Sequence, residues 1–204
     1  MRFWGFIPLA MGAIYAALMG GIILRYRRKF GRSPIRFSSS GGINQIAKAA
    51  ALIVFGGVLV WKAVAETFGL YFPLNYPLFE PFPVLGTIAM IVGASLAISA
   101  TRTMGASWEI PIGPEAESPA GGLITSGPFR CSRNPIYLGM ILALAGWMLL
   151  IPSPLSIFFA VGAVLNLRRQ AIEEEKHMLA AYGSAYKEWA RNSGRFVPWF
   201  GRLR

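Results

Sequence analysis

Long stretches of this chain carry no charge at all, and that feature limits its fold more than any other. Residues 83–100 contain no charged side chain, and neither do residues 135–167. Residues 3–24 have only Arg2 at their edge, and residues 47–70 hold just Lys48, Lys62 and Glu66. A helix needs ~20 apolar residues to cross the ~30 Å hydrocarbon core of a bilayer. Charged residues make up 14% of the chain, against about 25% in an ordinary soluble domain. The sequence therefore reads as an all-α polytopic membrane protein with about five transmembrane helices, forming a single membrane-embedded domain over residues 1–204.

Three of the five are full spans. The last two, residues 136–151 and 155–167, form a short helical hairpin interrupted by Pro152-Ser153-Pro154. Proline breaks a helix there because it lacks the amide hydrogen and clashes with the preceding turn. Each arm is short for the hydrocarbon, so the hairpin is expected to thin the bilayer or to stop short of its far side. Residues 168–192, with Gly183 as their one helix breaker, read as a C-terminal cytosolic helix continuing from the last arm.

The net charge of +11 raises the prospect of nucleic acid, but the positions of the charges argue against it. One cluster, Arg25 to Arg36, follows the first span directly. Arg102, Arg130 and Arg133 fall between the third and fourth segments, and Arg168, Arg169 and the basic tail follow the fifth. With the N-terminus outside and the C-terminus cytosolic, every cluster lands on one face, which is the positive-inside pattern. Membrane lipids, not nucleic acid, are the partners this implies. Because the first cluster follows its apolar run, the first segment reads as a retained helix, not a cleaved signal. Cys131 is the only cysteine, so no intramolecular disulfide is expected, and His177 is the only histidine, so no metal site is expected. Lys62 and Glu66, four apart near the outer end of the second span, are expected to pair or to snorkel. The linker 31–44, with its Ser-Ser-Ser-Gly-Gly run, reads as a flexible loop. The loop 101–134, carrying Glu109, Glu115 and Glu117, is longer than a minimal connection, as functional loops usually are.

On a helical wheel turning about 100° per residue, Ile172, Leu179, Tyr182, Tyr186 and Trp189 share one face. Glu175 falls in the middle of it, Glu174 at its edge and Glu173 on the opposite side. A carboxylate on an apolar face must find a cationic or hydrogen-bonding partner, because an unpaired buried charge is costly. The sequence Gly127 to Gly139, "GPFRCSRNPIYLG", supplies cations at the mouth of the fourth segment. Pro135 suits the first turn of a helix, which puts Asn134 at the N-cap, where its side chain would bond the orphan amides, and Tyr137 in the first turn. Arg130 and Arg133 beside a helix N-terminus, with carboxylates on the following helix, would make a site of both charge signs at the inner edge of the bilayer.

Taken in order, Gly127-Pro128-Phe129, Arg133-Asn134-Pro135-Ile136-Tyr137-Leu138-Gly139, Glu174-Glu175, Tyr182-Gly183, Tyr186 and Pro198 resemble the pattern of the isoprenylcysteine carboxyl methyltransferase and phospholipid methyltransferase superfamily of integral membrane enzymes. The resemblance covers residues 123–198 and makes 123–204 the methyltransferase-like cofactor-binding region, with N-terminal spans and loops in 1–122. It implies S-adenosylmethionine as cofactor, in a pocket between the hairpin and the C-terminal helix. It implies cofactor contacts from Gly127, Pro128, Arg133, Asn134, Tyr137, Glu174 and Glu175, catalytic roles for Arg133 and Glu175, and substrate contacts from Arg130 and Arg195. The acceptor would be a lipophilic small molecule or lipid, a carboxylate needing only an orienting cation or an amine needing a base. Asn134 stands where the family has histidine, so it can hydrogen-bond but cannot titrate near neutral pH. That departure keeps open a non-catalytic protein with a degenerate pocket. A nicotinamide-dependent reductase of the sterol reductase type is the other alternative. A prokaryotic inner membrane is the expected location.

Overall fold

Among the described residues, proline opens three α-helices and glycine closes three, as the fixed backbone of one and the freedom of the other dictate. A computed structural model describes residues 6–37, 43–70, 74, 76–108, 110–112, 122–198 and 200–201, with backbone alone for 35–37, 43–53, 55 and 110–112. Helix α1 (Phe6–Phe30) ends where Gly31 turns to φ 68° and its amide donates to the Arg27 carbonyl at 3.0 Å. Helix α2 (Ile43–Phe68) ends the same way at Gly69, φ 67°. Helices α3 (Pro83–Met104), α4 (Pro135–Leu150) and α5 (Pro154–Asn192) each begin on proline.

Three of these are long and apolar enough to cross a membrane, namely Phe6–Phe30, Pro83–Ser107 with its 3-10 extension, and Pro154–Asn192. The second expected span lies almost wholly inside α2. At a rise of ~1.5 Å per residue, the 16 residues of α4 reach only about 24 Å, as the hairpin reading required. The other arm continues past residue 167, as expected, without a break in the helix to residue 182, where Gly183 adopts φ 53° and ψ −120° and redirects the chain.

Four glycines let α3 and α4 pack antiparallel in close contact. Gly86 faces Gly146 and Gly93 faces Gly139. A Cβ on Gly139 would lie 2.5 Å from the Gly93 carbonyl oxygen, and one on Gly146 would lie 2.5 Å from that of Gly86. Small residues are the usual means of helix association in lipid, where dispersion replaces the hydrophobic drive. Trp147, Leu150 and Ile151 then close over Ala63 of α2, with Ile7, Leu59 and Met90 around them.

The two ends of the bundle are distinct. At one end, the Leu78 and Phe82 amides donate to the Pro152 and Leu149 carbonyls, docking the aromatic loop on the hairpin turn. Ser153 caps α5 there, accepting from the Ser156 amide at 3.2 Å. At the other end, Tyr26 donates to the Ala106 carbonyl at 2.9 Å, which brings the basic end of α1 to the end of α3. All the basic clusters within the described residues share this second end.

Two expectations change. The linker is not wholly a loop, because β1 (Ile35–Phe37) pairs in parallel with β2 (Ile110–Ile112), Ile35 opposite Ile110, and α2 already begins at Ile43. Isoleucine and phenylalanine favour such extended pairing, and Pro111 is tolerated because the ribbon is all edge. Of the two outcomes expected for Lys62, snorkelling is excluded by its burial at 0% exposure beside Ala63 and Ala65, and pairing is supported by its electrostatic interaction with Glu66. The Ser-Ser-Ser-Gly-Gly run at 38–42, and Glu109, Glu115 and Glu117, lie outside the described residues.

Candidate functional site

The site forms where the start of α4, the polar extension of α5 (residues 168–192) and the segment 193–201 meet. Its scaffold is backbone pairing. The Arg133 amide donates to the Gly194 carbonyl at 2.8 Å, the Asn134 amide to the Arg195 carbonyl at 3.1 Å, and the Gly194 amide to the Cys131 carbonyl at 3.1 Å. Gly194 is required there, since a Cβ would collide with the Val197 carbonyl.

Glu175 is the hub, 8% exposed. Its Oε1 accepts from Arg133 Nε at 3.2 Å, Asn134 Nδ2 at 3.2 Å and Arg195 Nε at 3.0 Å. Its Oε2 accepts from Arg133 Nη2 at 3.3 Å and Arg195 Nη2 at 3.0 Å. Two planar guanidinium forks thus grip one carboxylate, a geometry lysine could not reproduce. Arg133 has still more partners. Its Nη1 donates to the Ala190 and Ser193 carbonyls at 3.1 and 2.6 Å, and its Nη2 to the Gly201 carbonyl at 2.6 Å. Every one of the five guanidinium N–H groups is therefore used. Arg133 ties α4, α5 and the C-terminal segment together, and Glu175 balances its charge.

Asn134 does occupy the N-cap position, but its side chain caps nothing. It turns instead to Glu175 and to the Arg195 carbonyl, 3.1 Å away. The stronger claim on its amide comes from a charged acceptor, and charge-assisted hydrogen bonds exceed neutral ones.

A second pair lies beside this hub. Tyr137 donates its hydroxyl to Glu174 Oε1. Burial raises the Glu174 carboxyl above its ordinary range, opposed by the Tyr137 hydrogen bond and by His177, and assisted by Glu175. No hydrogen bond reaches Glu174 Oε2 from the described residues, so this carboxylate keeps acceptor capacity that Glu175 has spent. Arg195 likewise keeps its Nη1, and its side chain is 25% exposed. Tyr186, 1% exposed, packs edge-on against Trp189 with ring centroids 5.5 Å apart, and burial pushes its phenol up to about 12.

The remaining expected residues stand apart from the hub. Gly127 and Pro128 open a 3-10 turn, Gly127–Arg130, with Gly127 at φ 58° against Thr103 of α3. That turn is fixed by Trp189, whose Nε1 donates to the Phe129 carbonyl at 3.1 Å. Arg130 is exposed and makes no hydrogen bond or ion pair among the described residues. Glu173 points outward to Arg169 at 3.1 Å, as the wheel required. Sequence reasoning missed the carbonyls of Ala190, Ser193 and Gly201. The Ser193-Gly194 step just past the helix end was the one available signal for that turn.

Residues 82–185 match the family described as phospholipid methyltransferase. The chain is also similar to protein-S-isoprenylcysteine O-methyltransferase of Saccharomyces cerevisiae, 28% identical over 116 residues, which is 56% of this chain and 48% of that protein. The chain thus spans about half the length of the curated relative it matches. Arg133, Asn134, Tyr137, Glu174 and Glu175 all fall inside the family match, whereas Arg195 lies beyond it.

Proposed function

This chain belongs to the phospholipid methyltransferase family, and from that premise we propose that it transfers a methyl group from S-adenosylmethionine to a lipophilic acceptor at the cytosolic edge of the bilayer. The observation that carries the reading is the unspent acceptor capacity of Glu174, held by Tyr137 beside a hub in which Arg133, Asn134 and Glu175 are already bonded to one another. The positive-inside pattern supports a cytosolic position for that end of the bundle, where the donor is dissolved, while the acceptor arrives through the lipid.

The groups present suit this donor. Glu174 can accept from an ammonium or from ribose hydroxyls, and Arg195 Nη1 can donate to a carboxylate. When bound, S-adenosylmethionine supplies an electrophilic methyl group on a sulfonium. Positioning then furnishes most of the rate, and Arg133 and Glu175 act as positioning residues because they fix α4 against α5. Burial gives Glu174 the stronger hold on a proton, so it is the group that takes one from an amine acceptor. A carboxylate acceptor needs no base, only a cation such as Arg130 or Arg195 to orient it.

Thermal denaturation of the detergent-purified protein with added ligand tests the reading. S-adenosylhomocysteine is expected to raise the midpoint, because a ligand that binds only the folded state stabilises it in proportion to RT ln(1 + [L]/Kd). A rise with NADPH and none with S-adenosylhomocysteine would replace methyl transfer by hydride transfer.

A further inference from the structure

A groove of about 520 Å3 opens between α1 and α3 toward the basic end, lined by Leu18, Ser95, Ile98, Ser99, Arg102 and Thr103. Ser95, Ser99 and Arg102 lie four and three residues apart, so they share one face of α3. All three are exposed. Arg102 makes no hydrogen bond or ion pair among the described residues, unlike the saturated Arg133.

The serines are unusual for their helix. The three threonines of α3 satisfy their hydroxyls internally, Thr87 on the Pro83 carbonyl at 2.7 Å, Thr101 on Ala97 at 2.9 Å and Thr103 on Ser99 at 2.9 Å. Ser95 and Ser99 have no such bond among the described residues. From Arg102 to Ser95 the helix runs about 10 Å away from the basic end, and a hydroxyl removed from water without an acceptor is costly. The groove thus offers a cation at the basic end, two hydroxyl donors beyond it, and the aliphatic side chains of Leu18 and Ile98 beside them. A topology anchor would need the arginine alone. An isoprenoid or simple fatty chain would bring no acceptor to the depth of the serines.

We propose that this groove is a binding site for an ester-linked glycerophospholipid, with the phosphate on Arg102, the ester carbonyls on Ser99 and Ser95, and an acyl chain along α1. The site is separate from the Arg133–Glu175 hub and stands whether or not the methyl-transfer reading holds. It touches the loop of that hub only through Thr103, whose Oγ1 would lie 3.0 Å from a Cβ on Gly127.

The test is native mass spectrometry of the full chain in detergent, offered equal amounts of a diester phosphatidylglycerol, its diether analogue and a long-chain fatty acid. The protein is expected to retain the diester over the diether by roughly fivefold, the worth of one net hydrogen bond. The Ser95→Ala/Ser99→Ala double variant should lose that preference while still holding both phospholipids. Arg102→Gln should lower retention of both phospholipids by roughly tenfold, as loss of a charge-assisted contact does. These side chains are exposed, so circular dichroism should be unchanged in both variants. Equal retention of diester and diether by the parent, undiminished binding by Arg102→Gln, or preference for the fatty acid would each overturn the proposal.

Discussion

Replacing Glu175 with glutamine preserves size and removes one charge, yet it should cost the protein a large share of its stability. The carboxylate is gripped by two guanidinium groups, and the Arg133 side chain is only 1% exposed. Removing one member of a buried pair costs ~3–5 kcal/mol, mainly because the other charge is left uncompensated. Arg195, at 25% exposure, recovers part of its loss through water, so the penalty should fall near the lower end of that range. The new amide aggravates the loss, since its NH2 would face guanidinium donors. For a chain of this size ~1 kcal/mol shifts the melting midpoint by 2–4 °C, so a penalty of ~3 kcal/mol corresponds to a fall of about 6–12 °C. Intrinsic tryptophan fluorescence during heating, with Trp189 close to the hub, reads this directly. Limited proteolysis should also cut the segment 193–201 faster, because Arg133 no longer holds it. Salt should change the result little, since burial shields the pair from screening. A midpoint within about 1 °C of the parent, or a larger fall for Arg195→Ala than for Glu175→Gln, would refute the assignment of Glu175 as hub.

Two further outcomes follow from other parts of the structure. Burial raises the Glu174 carboxyl, so the folded state holds that proton more tightly than the unfolded chain. Its stability is then complete below the ordinary carboxylate value and declines as pH climbs through the raised one, and Glu174→Gln should flatten that decline of the melting midpoint above the ordinary carboxylate range. Gly139→Leu should separate α3 from α4, because the first added carbon already meets the Gly93 carbonyl at 2.5 Å. Overpacking of this kind costs ~1–3 kcal/mol or more, whereas Gly20→Ala, with nothing within 4 Å, should leave the melting curve where it is.

The parts of this fold legible in sequence were those set by local physics. Charge-free runs marked the helices of the membrane, Pro135 marked a helix start, and the wheel placed Glu175 inward and Glu173 outward, as found. The parts that were not legible depend on residues distant in the chain. Asn134 reads as a cap because its neighbours are a helix start, and only the fold brings Glu175, 41 residues later, to claim its amide. The carbonyls that receive Arg133 belong to no side-chain pattern. The wheel also assumed an unbroken helix, whereas Gly183 interrupts α5 between Glu175 and Tyr186. Lys62 reads as able to pair or to snorkel, and only the packing of α2 against its neighbours, which buries it, excludes snorkelling.

Methyl transfer itself is tested most directly by incubating the purified chain with S-adenosylmethionine labelled in the methyl group, together with a total lipid extract, and counting label in the organic phase. Label is expected to appear with the parent protein and to fall by at least about tenfold in Glu174→Gln and Tyr137→Phe, the usual scale for loss of a positioned acid–base group. An organic phase free of label, from protein that melts cooperatively and binds S-adenosylhomocysteine, would contradict transfer to a lipid acceptor. Full labelling by both variants would remove Glu174 and Tyr137 from the site.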